Sequence, residues 1–389
     1  MTLVELMVSV VVGLGLTLAV TSLLISSQSN KRTTTSTNDA EQTGNYSFYA
    51  IDKVLRGAGS AIAESAYPTD RGVLGCKLNA GTTIFPRTAA FPTPFAGFLA
   101  GVTNTLVVAP VLIAANASQA GSDVLVVMGG SGAAGGVSRQ VSGGGNATSL
   151  NLDNTVGFAA NDVALVSQSG VTDCLLEQVS TVSSPTVNLA GTYYTAGTTT
   201  TLATLASSTS TYVTPLGNAT ANNIQFMLFG VGNNRTLYSY DLLQNLNLIQ
   251  GAGSDVAQAM ADGVVSLYAL YGLDTNGDGK QDTWAGPSDA GWDIVSVMAS
   301  PTKMKEVISV RIAIVVRNEN YDLGQGGVPG TPVAVTPGPL TIFNGLTNAG
   351  GTSLQKSIAL SSATGDTQYR YRIFEFTVPL RNMIILAGA

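Results

Sequence analysis

The chain contains no histidine. That removes the commonest general base near neutral pH and the commonest transition-metal ligand. Cysteine is nearly as scarce: Cys76 and Cys174 are the only two, too few for a four-ligand thiolate metal site. They leave two readings, one disulfide, the simplest in an oxidising compartment, or a pair of buried free thiols. Charged residues make up 11% of the chain, 18 basic against 24 acidic, and no basic cluster offers a footprint for nucleic acid. Proline is absent before Pro68, so nothing in the first 67 residues forbids a continuous helix.

What is present starts at once. Residues 1–25 read MTLVELMVSVVVGLGLTLAVTSLLI, an apolar run with one ionised side chain, Glu5. As a helix this run spans roughly 37 Å, enough to cross the hydrocarbon of a bilayer. A carboxylate inside such a segment costs on the order of 2.5–3.5 kcal/mol and implies a waiting partner. No Lys or Arg precedes the run, whereas Lys31 and Arg32 follow it. The missing basic flank is explained if a basic leader has been removed and Met1 is a processed N-terminus.

The stretch T-L-V-E-L-M-V at residues 2–8 resembles the mature start of type IV pilins and of the pseudopilins of type II secretion, with Met1 where Phe is usual. The resemblance implies cleavage by a prepilin peptidase before residue 1 and N-methylation of the new amine. It further implies that Glu5 neutralises the terminal amine of a neighbouring subunit during assembly. A buried charge that needs a partner agrees with that role. Gly13 and Gly15 interrupt the apolar half at up to about 1 kcal/mol each. Two readings stand side by side: close helix–helix packing through small residues, or local melting between Gly13 and Thr17 when subunits leave the membrane.

Residues 26–44 are polar, and Phe48, Ile51 and Leu55 then recur at helical spacing. One long helix ending near Gly57–Gly59 is expected, its second half packing a head on one face. The segment GNYSFYAIDKVLRGAG resembles the end of the long helix in the PilW group of pilins. Beyond residue 66 short β-rich runs bounded by Gly, Asn and Ser predict strands at 103–109, 123–128, 162–167, 175–182 and 224–229. The near-copies DVLVVM (123–128) and DVALVS (162–167) are expected in one sheet. Gly129–Gly136 reads as a loop and Gly143–Asn146 as a turn, since no phosphate-loop signature follows a strand there. Residues 191–211 are Thr/Ser-rich and read as an exposed excursion.

Further on, a strand-like run from Val264 leads into DTNGDGKQD at 274–282. This spacing gathers oxygens of Asp274, Asn276, Asp278 and Asp282 around one point, with the Lys280 carbonyl as a fifth ligand and Gly279 permitting the turn. Ala285 stands where an EF-hand has its bidentate Glu, and Asp289 is the candidate to replace it. The competing reading is an Asx-rich turn with no ion. The region again resembles the PilW group: Tyr271–Asp274, the acidic loop, Trp292, the strand VISVRIAIVVR (307–317) and a last strand within YRYRIFEFTVPLR (369–381). Arg311, Arg370 and Arg372 are expected on the solvent side of these strands.

The sequence thus predicts an α+β chain: residues 1–60 form an assembly helix (1–25 apolar, 26–60 amphipathic), and 61–389 form a β-rich extracellular head with a loop insertion at about 183–222. The expected role is structural and non-enzymatic, a subunit of a type IV pilus-like filament. Expected partners are other copies of the chain or other pilins, the inner membrane before assembly, the prepilin peptidase and the pilus machinery, but no nucleic acid. Expected sites are Met1 and Glu5 for assembly, Gly13 and Gly15 for helix melting, Cys76–Cys174 as a disulfide and the 274–282 loop for calcium. The alternatives are a secretion pseudopilin and a pilus-tip adhesin.

Overall fold

The structure, a computed structural model, describes residues 2–64, 71–87, 89–100, 105–130, 136–193, 202–221, 223–244, 255–319 and 334–387. The first element is a single helix, α1 (Leu3–Leu55), 53 residues without a break and about 80 Å long. Its N-terminus is closed by a reciprocal capping box. The Glu5 N–H donates to Thr2 Oγ1 at 3.4 Å, and the Thr2 N–H donates to Glu5 Oε2 at 2.8 Å. The helix ends where Gly57 and Gly59 begin a run of turns, and Gly59 adopts a left-handed conformation (φ 75°).

The head follows in three stretches. The first holds β1 (Lys77–Ala80), the one-turn α2 (Gly81–Ile84), β2 (Val111–Ala114) and β3 (Val124–Gly129). The second holds β4 (Arg139–Gln140), β5 (Ser149–Asn151), β6 (Asp162–Gln168), β7 (Asp173–Ser183), β8 (Thr186–Leu189), α3 (Leu202–Ser207) and β9 (Thr211–Asn218). The third runs through β10 (Gln225–Val231), β11 (Thr236–Asp241), β12 (Gln258–Asp262), β13 (Val264–Leu273), β14 (Thr283–Ala285), α4 (Ile294–Met298), α5 (Pro301–Glu306) and β15 (Val307–Arg317), and closes with β16 (Leu340–Ile342), β17 (Lys356–Ile358), β18 (Tyr371–Pro379) and α6 (Arg381–Ala387).

Three larger sheets result. A five-stranded sheet has the order β12-β11-β10-β3-β2, and a four-stranded antiparallel sheet the order β14-β13-β15-β18. The seven-stranded sheet runs β4-β9-β6-β7-β8-β5, with β1 added parallel to β7. Its strands β4 to β9 lie within an insertion into the five-stranded sheet: β3 and β10 are direct partners, with Gly129 opposite Gln225. The inserted strands carry their own core of Val141, Leu150, Val166, Leu175, Val187 and Leu205, separate from the main one. So DVLVVM and DVALVS, expected in one sheet, lie in two. A β-rich run fixes its own extended conformation but not its partner, and here the partner comes from across the insertion. The stretch 183–222, read as a loop insertion, supplies β8, α3 and β9, while 194–201 lies outside the described residues. Of the run expected at 103–109, residues 103–104 lie outside the described residues and 105–109 are irregular but for a bridge from Val107 to Lys77; the strand comes just after as β2.

The second half of α1 docks on the four-stranded sheet through a seam of small residues: Ser36, Ala40, Gly44 and Ser47, then Ile51 and Leu55. Phe374 and Phe376 of β18 meet this seam. Phe48 packs edge-on to Phe376 with ring centroids 4.3 Å apart. At Gly44 an added Cβ would lie 2.1 Å from Phe374 Cε2, so only glycine lets the ring approach the helix this closely. Gly44→Leu should therefore lower unfolding free energy by about 1–3 kcal/mol through overpacking, despite gaining about 1 kcal/mol of helix propensity. Thermal melting reads this directly, and an unchanged melting temperature would contradict the docking.

The helix covers one face of this sheet and the β16–β17 segment the other, which corrects the placement of Arg311 but not of Arg372, whose side chain stays 54% exposed. Arg372 shares the helix-facing side of β18 with Phe374, and its guanidinium lies 3.6 Å from Glu41 of α1. Arg311 faces the opposite side, where it pairs with Glu375 at 2.8 Å beneath the segment carrying β16 and β17. Arg370 precedes β18, and its N–H donates to Asn318 Oδ1 at 3.0 Å. The near-continuous apolar run of β15 is the mark of a strand buried on both faces.

Candidate functional site: an exposed apolar helix and an acidic hairpin loop

The most exceptional surface of the molecule is the free half of α1. Residues Leu3–Gln28 form 26 helical residues, long and apolar enough to cross a bilayer, and none is buried. Leu3, Val11, Leu18 and Leu23 are each at least two-thirds exposed. A soluble monomer rarely exposes an apolar patch this long without a partner or a membrane to cover it. The span projects from a helix whose other half is fixed to the head by packing.

Within the span each expected site residue has a definite setting. Glu5 lies exposed in the first turn, and its capping box with Thr2 escaped the sequence reading, although T-x-x-E before an apolar run is its signature. Met1 lies outside the described residues. The backbone from Gly13 to Thr17 is helical, and the Thr17 hydroxyl donates to the carbonyls of Gly13 at 3.0 Å and Leu14 at 2.9 Å. Thr21 makes the same kind of bond to Thr17. These bonds return polar side chains to the helix's own backbone. An added Cβ at Gly13 or Gly15 would meet nothing within 4 Å, so nothing within one subunit demands glycine there.

The two cysteines are joined. Cys76 and Cys174 form a disulfide across 98 residues with Cα atoms 5.6 Å apart. The bond ties the start of the head, just before β1, to β7, where Leu78 stands opposite Cys174. It anchors the inserted sheet to the segment leading out of α1.

The acidic loop closes the β13–β14 hairpin, in which Leu273 pairs with Thr283. Asp274 is buried and accepts the N–H groups of Gly277 at 2.7 Å, Asp278 at 3.2 Å and Gly279 at 2.7 Å. Asp282 Oδ2 accepts the Thr275 hydroxyl and N–H, both at 2.8 Å, and these bonds hold its carboxyl below the usual range. Asn276 Oδ1 accepts the Asp278 N–H at 2.9 Å, and Asp278 Oδ1 accepts the Lys280 N–H at 2.8 Å. Gly277 and Gly279 supply the left-handed turns (φ 78° and 76°). Asp289 sits elsewhere, its Oδ2 accepting the Gly286 N–H at 2.9 Å and the Asn348 amide at 3.2 Å. The loop is thus closed by its own amides. Among the described residues no three acidic or cysteine side chains are grouped so as to hold a metal ion.

Comparison with known proteins adds one finding. No curated protein and no solved structure matches the chain. Residues 229–382 match the family model of the Type IV Pilus-assembly protein W. That span runs from β10 to α6 and includes the sheet on which α1 docks and the acidic hairpin. Over it the chain is similar to a type IV pilus-assembly protein, and the likeness associates it with the type IV pilus.

Proposed function

We propose that this chain is a structural subunit of a type IV pilus-like filament, anchored in the inner membrane before assembly and extracellular afterwards. The observation that carries the reading is the wholly exposed apolar half of a helix whose other half is locked to a folded head. Packing such helices from many subunits into a shared core removes the exposed surface from water. Each ~1,000 Å² of apolar area so buried supplies about 25 kcal/mol gross, before the entropy of association is subtracted. Glu5 at the helix start would meet a neighbour's terminal amine, fixing register. The likeness over residues 229–382 supports the same assignment. A truncation that begins at residue 29 should give a folded head that fractionates with soluble protein and never enters filaments. A truncated chain that still co-purifies with filaments would overturn the proposal.

A calcium ion in the 274–282 loop is a second, separate proposal. A carboxylate offers about four lone-pair sites, so the amide bonds at Asp274 and Asp282 leave acceptor capacity, and the carboxylates, not grouped around one point as the loop stands, would turn toward the ion as it binds. The Asp278 carboxylate, the Asn276 amide oxygen and the Lys280 carbonyl would join them. Affinity in the range of extracellular modules, on the order of 10⁻⁴–10⁻³ M, is expected. At ten times such a dissociation constant calcium would add about 1.4 kcal/mol to stability. A melting temperature raised by millimolar calcium and restored by EGTA is the expected result, and Asp278→Ala should abolish it. No shift with calcium would leave a self-closed turn.

A further inference from the structure

Lys356, the first residue of β17, reaches over the four-stranded sheet to the turn between β2 and β3. Its Nζ lies 3.3 Å from Asn116 Oδ1 and 3.8 Å from the centroid of the Tyr268 ring. Beside them is Asp123, only 3% exposed. Asp123 Oδ1 accepts the Asn116 N–H at 3.0 Å, and Oδ2 accepts the Ala269 N–H at 3.1 Å. Asp123 and Lys356 both line a cavity of about 190 Å³ whose apolar wall includes Leu270 and Phe343. An amine from one part of the chain therefore meets a carboxamide and a buried carboxylate from the β2–β3 connection, 240 residues away.

We propose that Lys356 and Asn116 join in an isopeptide bond, formed by the chain itself with Asp123 as the proton carrier. Asp123 first takes the extra proton from the Lys356 ammonium. The freed Nζ lone pair attacks Asn116 Cγ, and the new C–N bond forms. Asp123 shuttles the proton needed by the departing amide nitrogen, the old C–N bond breaks, and ammonia leaves. That ammonia carries off the proton first taken from lysine, so Asp123 ends as a carboxylate. No oxidant, cofactor or second substrate is required.

Three observations support the chemistry. The amine already donates to the Asn116 carboxamide oxygen at 3.3 Å, one bond away from the carbon it must reach. Burial lowers the Lys356 pKa, with the nearby Asp123 charge opposing, which favours the neutral nucleophile. Burial raises the Asp123 carboxyl to about 6, against the bonds from Asn116 and Ala269, near where a proton carrier works at neutral pH. The link would span 240 residues and fasten the β16–β17 segment to the five-stranded sheet. It does not depend on the filament reading.

The test is peptide mass analysis of the reduced, alkylated, full-length protein. Trypsin should release residues 88–139 joined to residues 318–370, uncut at Lys356 and lighter than the two peptides together by one ammonia. Lys356→Arg keeps the cation over Tyr268 but has no amine of this kind, and with trypsin now cutting after position 356 it should give residues 88–139, 318–356 and 357–370 as separate peptides. Asp123→Asn should slow appearance of the joined peptide by roughly 10²-fold or more at matched times after expression. Cleavage at Lys356 with Asn116 intact in the native protein would overturn the proposal. So would a loss of ammonia confined to residues 88–139, which marks a succinimide at one asparagine. Joining at the native rate in Asp123→Asn would remove Asp123 from the mechanism.

Discussion

Replacing Glu5 by Gln or by Ala should leave the protein folded and membrane-associated while incorporation into filaments falls roughly 10²–10³-fold. The magnitude follows from leaving one partner of a buried charge pair uncompensated, about 3–5 kcal/mol, at 1.4 kcal/mol per factor of ten. The two variants separate two roles. Glu5 closes a capping box with Thr2, worth about 1 kcal/mol to the helix end. Gln can make the same box but carries no charge. If pairing with a neighbour's amine sets assembly, both variants fail alike. If Glu5→Gln assembles at the native yield and Glu5→Ala does not, the cap is what matters. Quantifying the chain in sheared surface filaments against the membrane fraction decides between these outcomes.

Removing the disulfide should have the largest effect on the head itself. Cys76 and Cys174 are 98 residues apart in the chain. Closing a loop of this length is worth roughly 4–5 kcal/mol in the chain-entropy model. Domains are stable by only about 5–15 kcal/mol, so a third or more of the margin is at stake. Both sulfurs are buried, which makes Cys76→Ala with Cys174→Ala the cleaner substitution, since serine would add buried hydroxyls. The chain's two tryptophans, Trp284 and Trp292, both lie in the head and report its unfolding by fluorescence. The denaturation midpoint of the double variant should fall strongly, and reductant should shift the native protein to match. A midpoint within error of the native one would contradict the role given to this bond.

Several elements were legible because their signals are local. The apolar run and the stripe of Ile51 and Leu55 marked α1, and the continuous β-branched run of 307–317 marked β15. The strand-like run from Val264 and the turn chemistry of 274–282 were read from the sequence, while the hairpin they form with β14 was not. What escaped depends on distant contacts. The docking seam begins with Ser36, Ala40, Gly44 and Ser47, none of which carries an apolar signal, and it is recognisable only opposite Phe374 and Phe376. Arg311 read as a solvent-side residue, whereas it pairs with Glu375 beneath the segment carrying β16 and β17. The insertion between β3 and β10 hid the partnership of those strands behind the whole seven-stranded sheet. The meeting of Lys356 with Asn116 and Asp123 is likewise invisible to spacing, because 240 residues separate it from the β2–β3 connection.

Immunogold electron microscopy of intact cells, using antibodies raised against the head, shows whether the exposed half of α1 builds the core of a surface filament. Gold is expected on extracellular filaments, along their length or at their tips, and should be lost from them when residues 3–28 are removed. Label confined to the cell envelope on cells that carry filaments would contradict it.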